Sequence, residues 1–291
     1  MVMDIAALQA FVAIADAGSF SRAGDALFLT QPAISKRIAA LEAELGTPLF
    51  DRIGRGVPLS PAGVALLDQA RRILNEVAEA KRRIAGLSGQ IKGPLTLGTS
   101  CHIGLHRLQP ALKAFSQQHP QVHLDLRFMD SEVACLAVEN GQLELAIITL
   151  PTRPAASLRC EVLWDDVLEV VVGHDHALAG ISGITLDALT HYPAILPVAG
   201  TTTREIILAG LAPIRERLDI GTETNYLDVI KMLVSIGLGW SVLPRTLIDA
   251  ELKVVQIEGI RINRQLGSVT HGSRTLSNAA RAMIAMVKQN V

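Results

Sequence analysis

Aromatic residues, net charge and long apolar runs are all scarce in this chain of 291 residues. Only 3% of the residues are Phe, Trp or Tyr, and 27 Lys or Arg nearly balance 28 Asp or Glu, which leaves a net charge of −1. No apolar run approaches the roughly 18 residues that a membrane span needs, and the N-terminus lacks the basic and apolar segments of a signal peptide. Three cysteines at irregular spacing provide no disulfide framework. We therefore expect a folded cytoplasmic protein without a membrane partner.

The distribution of charge differs between the two ends of the chain. Residues 1–93 contain eleven Lys or Arg against nine Asp or Glu, a balance of +2. The remaining residues contain sixteen against nineteen, a balance of −3, together with all eight His. The length suits two or three domains, and this difference has the sign expected for a nucleic-acid-binding domain on an acidic body. It is too small to decide the function.

The first 46 residues have the periodicity of three helices. Gly18 ends the first helix, Ser19 can cap the second, and Gly46 ends the third. Thr30 offers an N-cap hydroxyl to the third helix, and Pro32 suits its first turn. The buried faces are predicted from apolar residues at helical spacing: Ile5, Leu8, Phe11, Val12 and Ala15, then Ala23, Ala26 and Leu27, and then Ile34, Ile38, Leu41 and Leu45.

The polar start of the third helix indicates a helix-turn-helix, in which such a face enters the major groove. Residues 49–50 and 57–59 flank a basic loop, which predicts a two-stranded wing whose arginines reach phosphates or a narrow minor groove. An ordinary three-helix packing domain with a solvated basic loop is the alternative that these residues leave open. The polar residues of this surface are Gln31, Ser35 and Lys36, with Arg37 at the flank and Arg52 and Arg55 in the loop.

The same residues resemble the N-terminal domain of LysR-type transcriptional regulators from about position 4 to 65. Gly24 departs from the pattern, because the family usually has Ala there and Gly weakens a helix by about 1 kcal/mol. The motifs that carry the resemblance are Phe11-Val12-Ala13, Gly18-Ser19-Phe20, Ala23-Gly24-Asp25-Ala26-Leu27, Thr30-Gln31-Pro32-Ala33-Ile34-Ser35-Lys36-Arg37-Ile38, Leu41-Glu42, Leu45-Gly46, Leu49-Phe50-Asp51-Arg52 and Leu59-Ser60-Pro61-Ala62-Gly63. The DNA-contacting residues that it implies are Gln31, Pro32, Ala33, Ser35, Lys36, Arg37, Arg52 and Arg55.

A long helix with one apolar seam follows, capped by Ser60, opened by Pro61 and continuing to about Leu87. A seam that repeats at four and three residues favours pairing with a second helix, and the resemblance implies dimerisation through it. Packing on its own domain is the alternative, and Lys81-Arg82-Arg83 is interpreted as a solvated face. The seam consists of Leu66, Ala70, Ile73, Val77, Ala80, Ile84 and Leu87, broadened by Leu67 and Leu74.

Strands and helices alternate in the rest of the chain, which predicts an α/β sheet with right-handed crossovers. Its order and the block Gly237-Leu238-Gly239-Trp240-Ser241-Val242-Leu243-Pro244 resemble the regulatory domain of the same family, which is similar to a type 2 periplasmic binding protein. Strands are predicted at 95–99, 122–128, 145–148, 167–172, 194–196, 220–224 and 265–270, and a turn and strand over 237–244, with helices at 102–118, 132–138, after 201–203, and at 227–236 and 276–287.

The predicted fold class is α/β with an N-terminal all-α winged helix-turn-helix domain. Residues 1–60 form that domain, 61–88 a dimerising linker helix and 89–93 a hinge. Residues 94–291 form a two-lobed effector-binding domain, with about 94–161 and 266–291 in the first lobe and about 162–265 in the second.

Several polar residues follow predicted strands, where ligands of open α/β lobes bind. Hydroxyls and backbone N–H groups at converging helix starts favour a small anion or carboxylate, and the resemblance implies an effector there. Plain N-caps explain each Ser and Thr by itself, which is the alternative. The predicted effector-binding residues are Ser100, Cys101, His102, Thr149, Thr201, Thr202, Thr203 and Asn225.

The sequence supports a metal, redox or catalytic site less well than an effector site. Cys101, His102 and His106 show no fourth metal ligand, and the cysteines do not match the redox-sensing members of the family. No Ser-His-Asp set and no dinucleotide fingerprint is recognisable, so neither a cofactor nor a metal is predicted.

The function predicted is that of a LysR-type transcriptional regulator, not an enzyme, which binds a pseudo-palindromic promoter site as a dimer of dimers. A small effector, expected to be anionic, modulates DNA binding or bending from the cleft between the lobes. The partners are double-stranded promoter DNA, the effector and further copies of the chain, with RNA polymerase as a candidate. The alternative is a cytoplasmic solute-binding or enzymatic α/β protein with a helical dimerisation head.

Overall fold

The computed structural model describes residues 4–51, 57–86 and 89–290. The chain divides into two compact units, Met1–Ser88 and Gly89–Val291. The first is helical and the second is α/β, which confirms the predicted fold class. Among the described residues, no helix is long and apolar enough to cross a membrane.

Three helices form the core of the first unit, as predicted. They are α1 at Ile5–Ala17, α2 at Phe20–Leu27 and α3 at Gln31–Leu45. Gly18 and Gly46 end α1 and α3 in left-handed conformations, with φ of 63° and 70°. Glycine adopts this conformation without steric cost, so both predicted stops are confirmed.

The two predicted N-caps behave differently. The Ser19 hydroxyl accepts a hydrogen bond from the Arg22 N–H at 3.5 Å, as expected. Thr30 occupies the N-cap position of α3, but its hydroxyl makes no capping bond within the part of the chain that the structure describes, so that prediction is wrong. Pro32 removes one of the two N–H donors open to an N-cap side chain; the other, that of Ala33, remains, but the Thr30 hydroxyl does not bond it.

Gly24 has a packing role that its low helix propensity conceals. A Cβ at this position would lie 2.6 Å from the Leu29 carbonyl oxygen. The Leu29 N–H in turn donates to the Gly24 carbonyl at 2.8 Å, which closes the turn between α2 and α3. The departure from the family pattern therefore supports a close backbone approach rather than weakening the unit.

The predicted wing consists, in the described residues, of one antiparallel bridge between Phe50 and Leu59. The Asp51 N–H donates to the Pro58 carbonyl at 2.9 Å beside it. The predicted DNA contacts Arg52 and Arg55 lie outside the described residues.

Helix α4 spans Pro61–Gly86 and is capped by the Ser60 hydroxyl, which accepts from the Gly63 N–H at 3.1 Å. Its seam divides into two parts. Leu66, Ala70 and Ile73 pack on the core of their own unit, as the alternative interpretation stated. Farther along, Ile84 is 71% exposed and Val77 and Ala80 are at least partly exposed. Leu87 lies outside the described residues.

The second unit is built on one nine-stranded sheet. Its strands are β1 Gly93–Thr99, β2 Val122–Phe128, β3 Leu145–Thr149, β4 Leu158–Gly173, β5 Ala194–Leu196, β6 Ile220–Glu223, β7 Trp240–Pro244, β8 Leu252–Val254 and β9 Ile262–His271. The order is β2-β1-β3-β9-β4-β7-β5-β6, and β8 pairs with β4. All eight predicted strands are present, and the three-residue β8 was not predicted.

Strands β4 and β9 are much longer than predicted and run antiparallel from one lobe into the other. Trp164 and Leu266 belong to the core of the first lobe, whereas Leu168 and Ile262 belong to that of the second. The first half of β4 is largely exposed or half-buried, so it lacks the apolar run by which its second half was recognised.

Helices cover the sheet at the predicted places, but the helix expected at 102–118 is interrupted by a π-helical turn, a feature frequent at functional sites. The helices are α5 Cys101–Ile103, the π turn Gly104–Leu108, α6 Gln109–Gln118, α7 Ser131–Glu139, α8 Thr202–Gly210, α9 Leu227–Ser235 and α10 Asn278–Gln289, with 3-10 turns at Leu186–His191, Ala212–Arg217 and Arg245–Leu247.

Candidate functional site

Helix α3 presents a polar face at its N-terminal end. Gln31, Pro32, Ser35 and Lys36 are exposed, and Ala33 and Arg37 are half-buried. Ile34 and Ile38 are buried on the opposite side, so the core fixes which face of the helix is free. The first backbone N–H groups of a helix attract anions, which suits this end to a phosphate backbone.

An aromatic side chain lies at the turn that precedes this face. Phe28 ends α2 in the left-handed conformation, with φ of 55°, and its side chain is 96% exposed. That conformation is unfavourable for a residue with a Cβ, and packing does not compensate it here. The sequence identified only a turn at this position, because nothing in the apolar pattern separates an exposed Phe from a buried one.

In the second unit, a small cavity of about 50 Å³ lies between the two lobes. Six of the eight predicted effector residues line it, whereas Cys101 and Thr202 do not. Strand ends and helix starts converge at this place, as expected for an open α/β fold. The predicted lining residues are Ser100, His102, Thr149, Thr201, Thr203 and Asn225, and those that sequence reasoning missed are Asp130, Ser131, Glu132, Pro197, Leu227 and Arg264.

Hydrogen bonds cross the cleft at the starts of α7, α8 and α9. Glu132 Oε1 accepts from the Thr202 backbone N–H at 2.6 Å, so the chain's own carboxylate holds the predicted anion-binding group at the start of α8. Asn225 Nδ2 donates to Asp130 Oδ2 at 2.8 Å. These bonds join the start of α7 in the first lobe to two segments of the second lobe.

A third bond across the cleft starts from the π turn. His106 Nε2 lies 3.1 Å from Asp228 Oδ1 on α9. The π turn thereby takes part in the contact between the lobes.

The N-cap alternative explains some of the hydroxyl groups and not others. Thr201 accepts from the Arg204 N–H at 3.4 Å, as a plain N-cap does. Ser131 accepts from the Thr149 N–H at 3.2 Å and thereby joins α7 to β3. Ser100 stands at the N-cap of α5 without a capping bond among the described residues, so its hydroxyl is available to a ligand.

A buried charged group forms the floor of the cavity. Asp166, 2% exposed, accepts from Arg264 Nε at 2.8 Å and from Arg107 Nη2 at 3.0 Å. Arg264 Nη1 donates to the Thr203 hydroxyl at 3.0 Å, while Arg264 Nη2 has no hydrogen-bond partner among the residues described. Burial lowers the pKa of Arg264, and Asp166 opposes this shift. An arginine guanidinium keeps its charge in proteins.

His102 is buried beside this group, and its pKa is lowered to about 3, chiefly by burial and next by the charge of Arg264. The ring is therefore neutral at pH 7. Neither ring nitrogen has a hydrogen-bond partner within the described ranges, and the ring lies 5.1 Å from that of His106. No group of three or more His, Cys, Asp or Glu that could hold a metal occurs in the described part of the chain.

Two of the three cysteines, Cys135 and Cys160, lack the features of a thiol switch. Burial raises the pKa of the Cys135 thiol to about 12, and the neighbouring Cys160 also has a raised pKa. Both thiols are therefore protonated at neutral pH and react slowly.

Family comparison accounts for both units of the chain. Residues 5–64 match the model described as the bacterial regulatory helix-turn-helix protein, lysR family. Residues 88–291 match the LysR substrate binding domain. The chain belongs to the LysR family of transcriptional regulators, which are DNA-binding proteins and not enzymes.

Relatives support this assignment along the whole chain. An HTH-type transcriptional regulator encoded in the ibpB–leuC intergenic region of Azotobacter vinelandii is 58% identical over 108 residues, 37% of this chain and 75% of the relative. A "Probable RuBisCO transcriptional regulator" of Synechocystis is 32% identical over 290 residues, 96% of this chain and 84% of the relative.

Solved structures show the same fold. Full-length OxyR from Pseudomonas aeruginosa matches with a TM-score of 0.75 at 23% identity, over 99% of this chain and 95% of that one. CbnR, solved in complex with its target DNA, matches with a TM-score of 0.67 at 20% identity, over 99% and 100% of the two chains.

Proposed function

We propose that this LysR-family regulator binds a pseudo-palindromic promoter site as a dimer of dimers and responds to a small effector in the cleft between its lobes. The effector presents an anionic group to Arg264 and changes DNA binding or bending. The cytoplasm is the compartment of this activity, and RNA polymerase is a further partner.

The exposed face of α3 supports the DNA-binding part. Its side chains match the chemistry of base edges, since Gln pairs with adenine, Lys contacts guanine or phosphate, and Pro or Ala contacts a thymine methyl. We assign Gln31, Pro32, Ala33, Ser35 and Lys36 to the major groove. Arg37, Arg52 and Arg55 are assigned to the backbone and the wing.

The second part of the α4 seam supports the oligomer. Val77, Ala80 and Ile84 repeat at three and four residues; Val77 is half-buried, Ala80 and Ile84 are exposed, and none of them belongs to the core on which the first part of the seam packs. A partner helix would cover this apolar row, and two-fold symmetry would then present two recognition helices to two half-sites.

The cavity between the lobes carries the effector proposal. Its most informative feature is Arg264, which is 4% exposed, lines the cavity and keeps one guanidinium nitrogen without a partner among the described residues. A buried donor of this kind is costly unless an acceptor reaches it. The bonds across the cleft connect ligand entry to the arrangement of the lobes, because a ligand must displace or rearrange them.

The DNA-binding proposal is tested by fluorescence anisotropy with DNA from upstream of the protein's own gene, in a salt series. Base contacts contribute about 1–3 kcal/mol each. We therefore expect Gln31→Ala with Lys36→Ala to weaken sequence-selective binding at least about tenfold. Lys113→Ala removes an exposed lysine in the second unit and is the control, expected to bind as the wild type does. Equal affinity of the double variant and the wild type would show that α3 is not the reading helix.

A further inference from the structure

The walls of the interlobe cavity carry charges of both signs. Arg264, on β9, supplies a guanidinium. Asp130 and Glu132, at the start of α7, supply two carboxylates to the same cavity. All three groups line one cavity of about 50 Å³.

The cationic side is built to hold a carboxylate. Arg264 is fixed by Asp166 through Nε and by Thr203 through Nη1, which leaves Nη2 as the donor without a partner in the described residues. Asp166 is shared with Arg107, so two guanidinium groups stand against one carboxylate. This buried group has one uncompensated positive charge, and the neutral His102 adds none.

The anionic side of the cavity has carboxylate oxygens that accept no hydrogen bond from the described residues. Asp130 Oδ2 and Glu132 Oε1 accept the two bonds across the cleft. The second carboxylate oxygen of each residue accepts no hydrogen bond from the described residues. Asp130 is the N-cap of α7, yet its side chain bonds Asn225 instead of capping that helix. Both carboxylates are therefore available to a donor inside the cleft.

A ligand with negative charge alone does not suit this cavity. Its carboxylate would be attracted by Arg264 and repelled by Asp130 and Glu132, which line the same small space. A ligand with an ammonium group next to the carboxylate would be attracted at both ends. Leu227, 6% exposed, and the buried Pro197 supply a short apolar wall, so the remaining part of the ligand is small.

We propose that the effector is a small zwitterion of the α-amino acid class, with its carboxylate on Arg264 and Ser100 and its ammonium on Asp130 and Glu132. This inference rests on the proposed function, since it assigns the ligand class of the same cleft. It replaces the simple anion expected from hydroxyls and helix starts.

The first test uses isothermal titration of the full chain with glycine, L-alanine and L-serine, each matched to analogues that lack one charge. For L-alanine these are propionate and ethylamine. Charge-assisted hydrogen bonds are strong, so we expect each analogue to bind about 10- to 100-fold more weakly than its amino acid. Carboxylates that bind as tightly as the amino acids would overturn the zwitterion while leaving a cleft effector in place. A lack of binding by all three amino acids would also overturn it.

The second test changes the selectivity through Glu132→Gln. The amide oxygen can still accept from the Thr202 N–H, but the charge is lost. We expect L-alanine to bind about 10- to 100-fold more weakly and propionate to bind no more weakly than before, so the ratio of their affinities collapses. If Glu132 had only a structural role, the variant would bind both L-alanine and propionate more weakly, and that result would overturn the proposal.

The control for this variant is Glu205→Gln, which removes an exposed carboxylate of α8 outside the cavity and is expected to leave the ratio unchanged. Thermal unfolding of both variants shows that they are folded. The DNA-binding test on α3 is independent of these titrations, so the two proposals fail separately.

Discussion

The two units of this chain assemble their functional surfaces in opposite ways. The residues of α3 proposed to face DNA lie within seven consecutive positions, 31–37, on one helix. The residues of the cleft come from separate segments between positions 100 and 264 and meet only through the fold. A surface on one helix depends on local geometry, whereas a surface built from many segments depends on buried pairs that hold the segments in register.

The largest expected effect concerns the buried pair beneath the cleft. Asp166→Ala leaves Arg264 and Arg107 without their shared carboxylate, and breaking a buried ion pair costs about 3–5 kcal/mol. Both tryptophans, Trp164 and Trp240, lie in the second unit, so urea unfolding followed by Trp fluorescence reports that unit. We expect a lower midpoint there, with the helical signal of the first unit retained. An unchanged fluorescence midpoint would contradict the role of this pair.

In the first unit, Gly24→Ala tests a close approach between two neighbouring segments. Helix propensity alone predicts that alanine raises the free energy of unfolding by about 1 kcal/mol, but overpacking typically lowers it by about 1–3 kcal/mol. We expect the variant to lose stability, because the added Cβ would meet the Leu29 carbonyl. Circular dichroism of the first unit measures the change. Ala26→Gly, at an exposed position of α2, is the control that shows the propensity effect alone.

A dependence on pH should distinguish the two units. The pKa of His102 is lowered to about 3 in the folded protein, so the unfolded chain binds more protons between about pH 6.5 and 3. Stability from this group is present above pH 6.5 and is lost as the pH falls, by at most about 1.4 kcal/mol per pH unit. Measuring the free energy of unfolding of the second unit at several pH values checks how steeply stability falls with pH. His102→Gln should reduce this slope, and His191→Gln, at an exposed site, should not.

The smallest expected effect concerns the exposed turn before α3. Phe28→Gly removes the steric cost of the left-handed conformation, but glycine also raises the conformational entropy of the unfolded chain. The net effect that we expect is a free energy of unfolding higher by about 0.5–1 kcal/mol. We also expect weaker binding of promoter DNA, since the exposed Phe28 closely precedes the proposed recognition face in the chain. Thermal unfolding and anisotropy on the same sample measure both. A stabilised variant with full DNA affinity would remove Phe28 from the DNA-binding surface.

The sequence predicted local features better than assembled ones. The helices of the first unit followed from apolar spacing and glycine stops, and most strands of the second from apolar runs. The Thr30 hydroxyl was assigned wrongly: Pro32 removes one of the two donors that the pattern assumes, and the hydroxyl does not bond the other. The length of β4 was missed because its first half is neither continuously apolar nor regularly buried.

The charged residues of the cleft were missed for a related reason. Arg264 lies between Ile262 and Leu266 on the buried face of β9, and Asp166 between Trp164 and Leu168 on that of β4. The alternation of buried and exposed residues along β9 and β4 therefore already places Arg264 and Asp166 on the buried faces of their strands. What the sequence does not provide is the pairing across 98 positions that brings the two charges together.

In the proposed function, the state of the cleft in the second unit controls DNA binding by the first. The most direct measurement compares promoter DNA binding and the length of the protected DNA for the wild type and for Glu132→Ala with Asn225→Ala. This variant removes two bonds across the cleft and changes no proposed DNA-contacting residue. We expect a severalfold change in DNA affinity or a changed length of protected DNA, with the helical unit as stable as before. The same affinity and the same protected length in both proteins would contradict it.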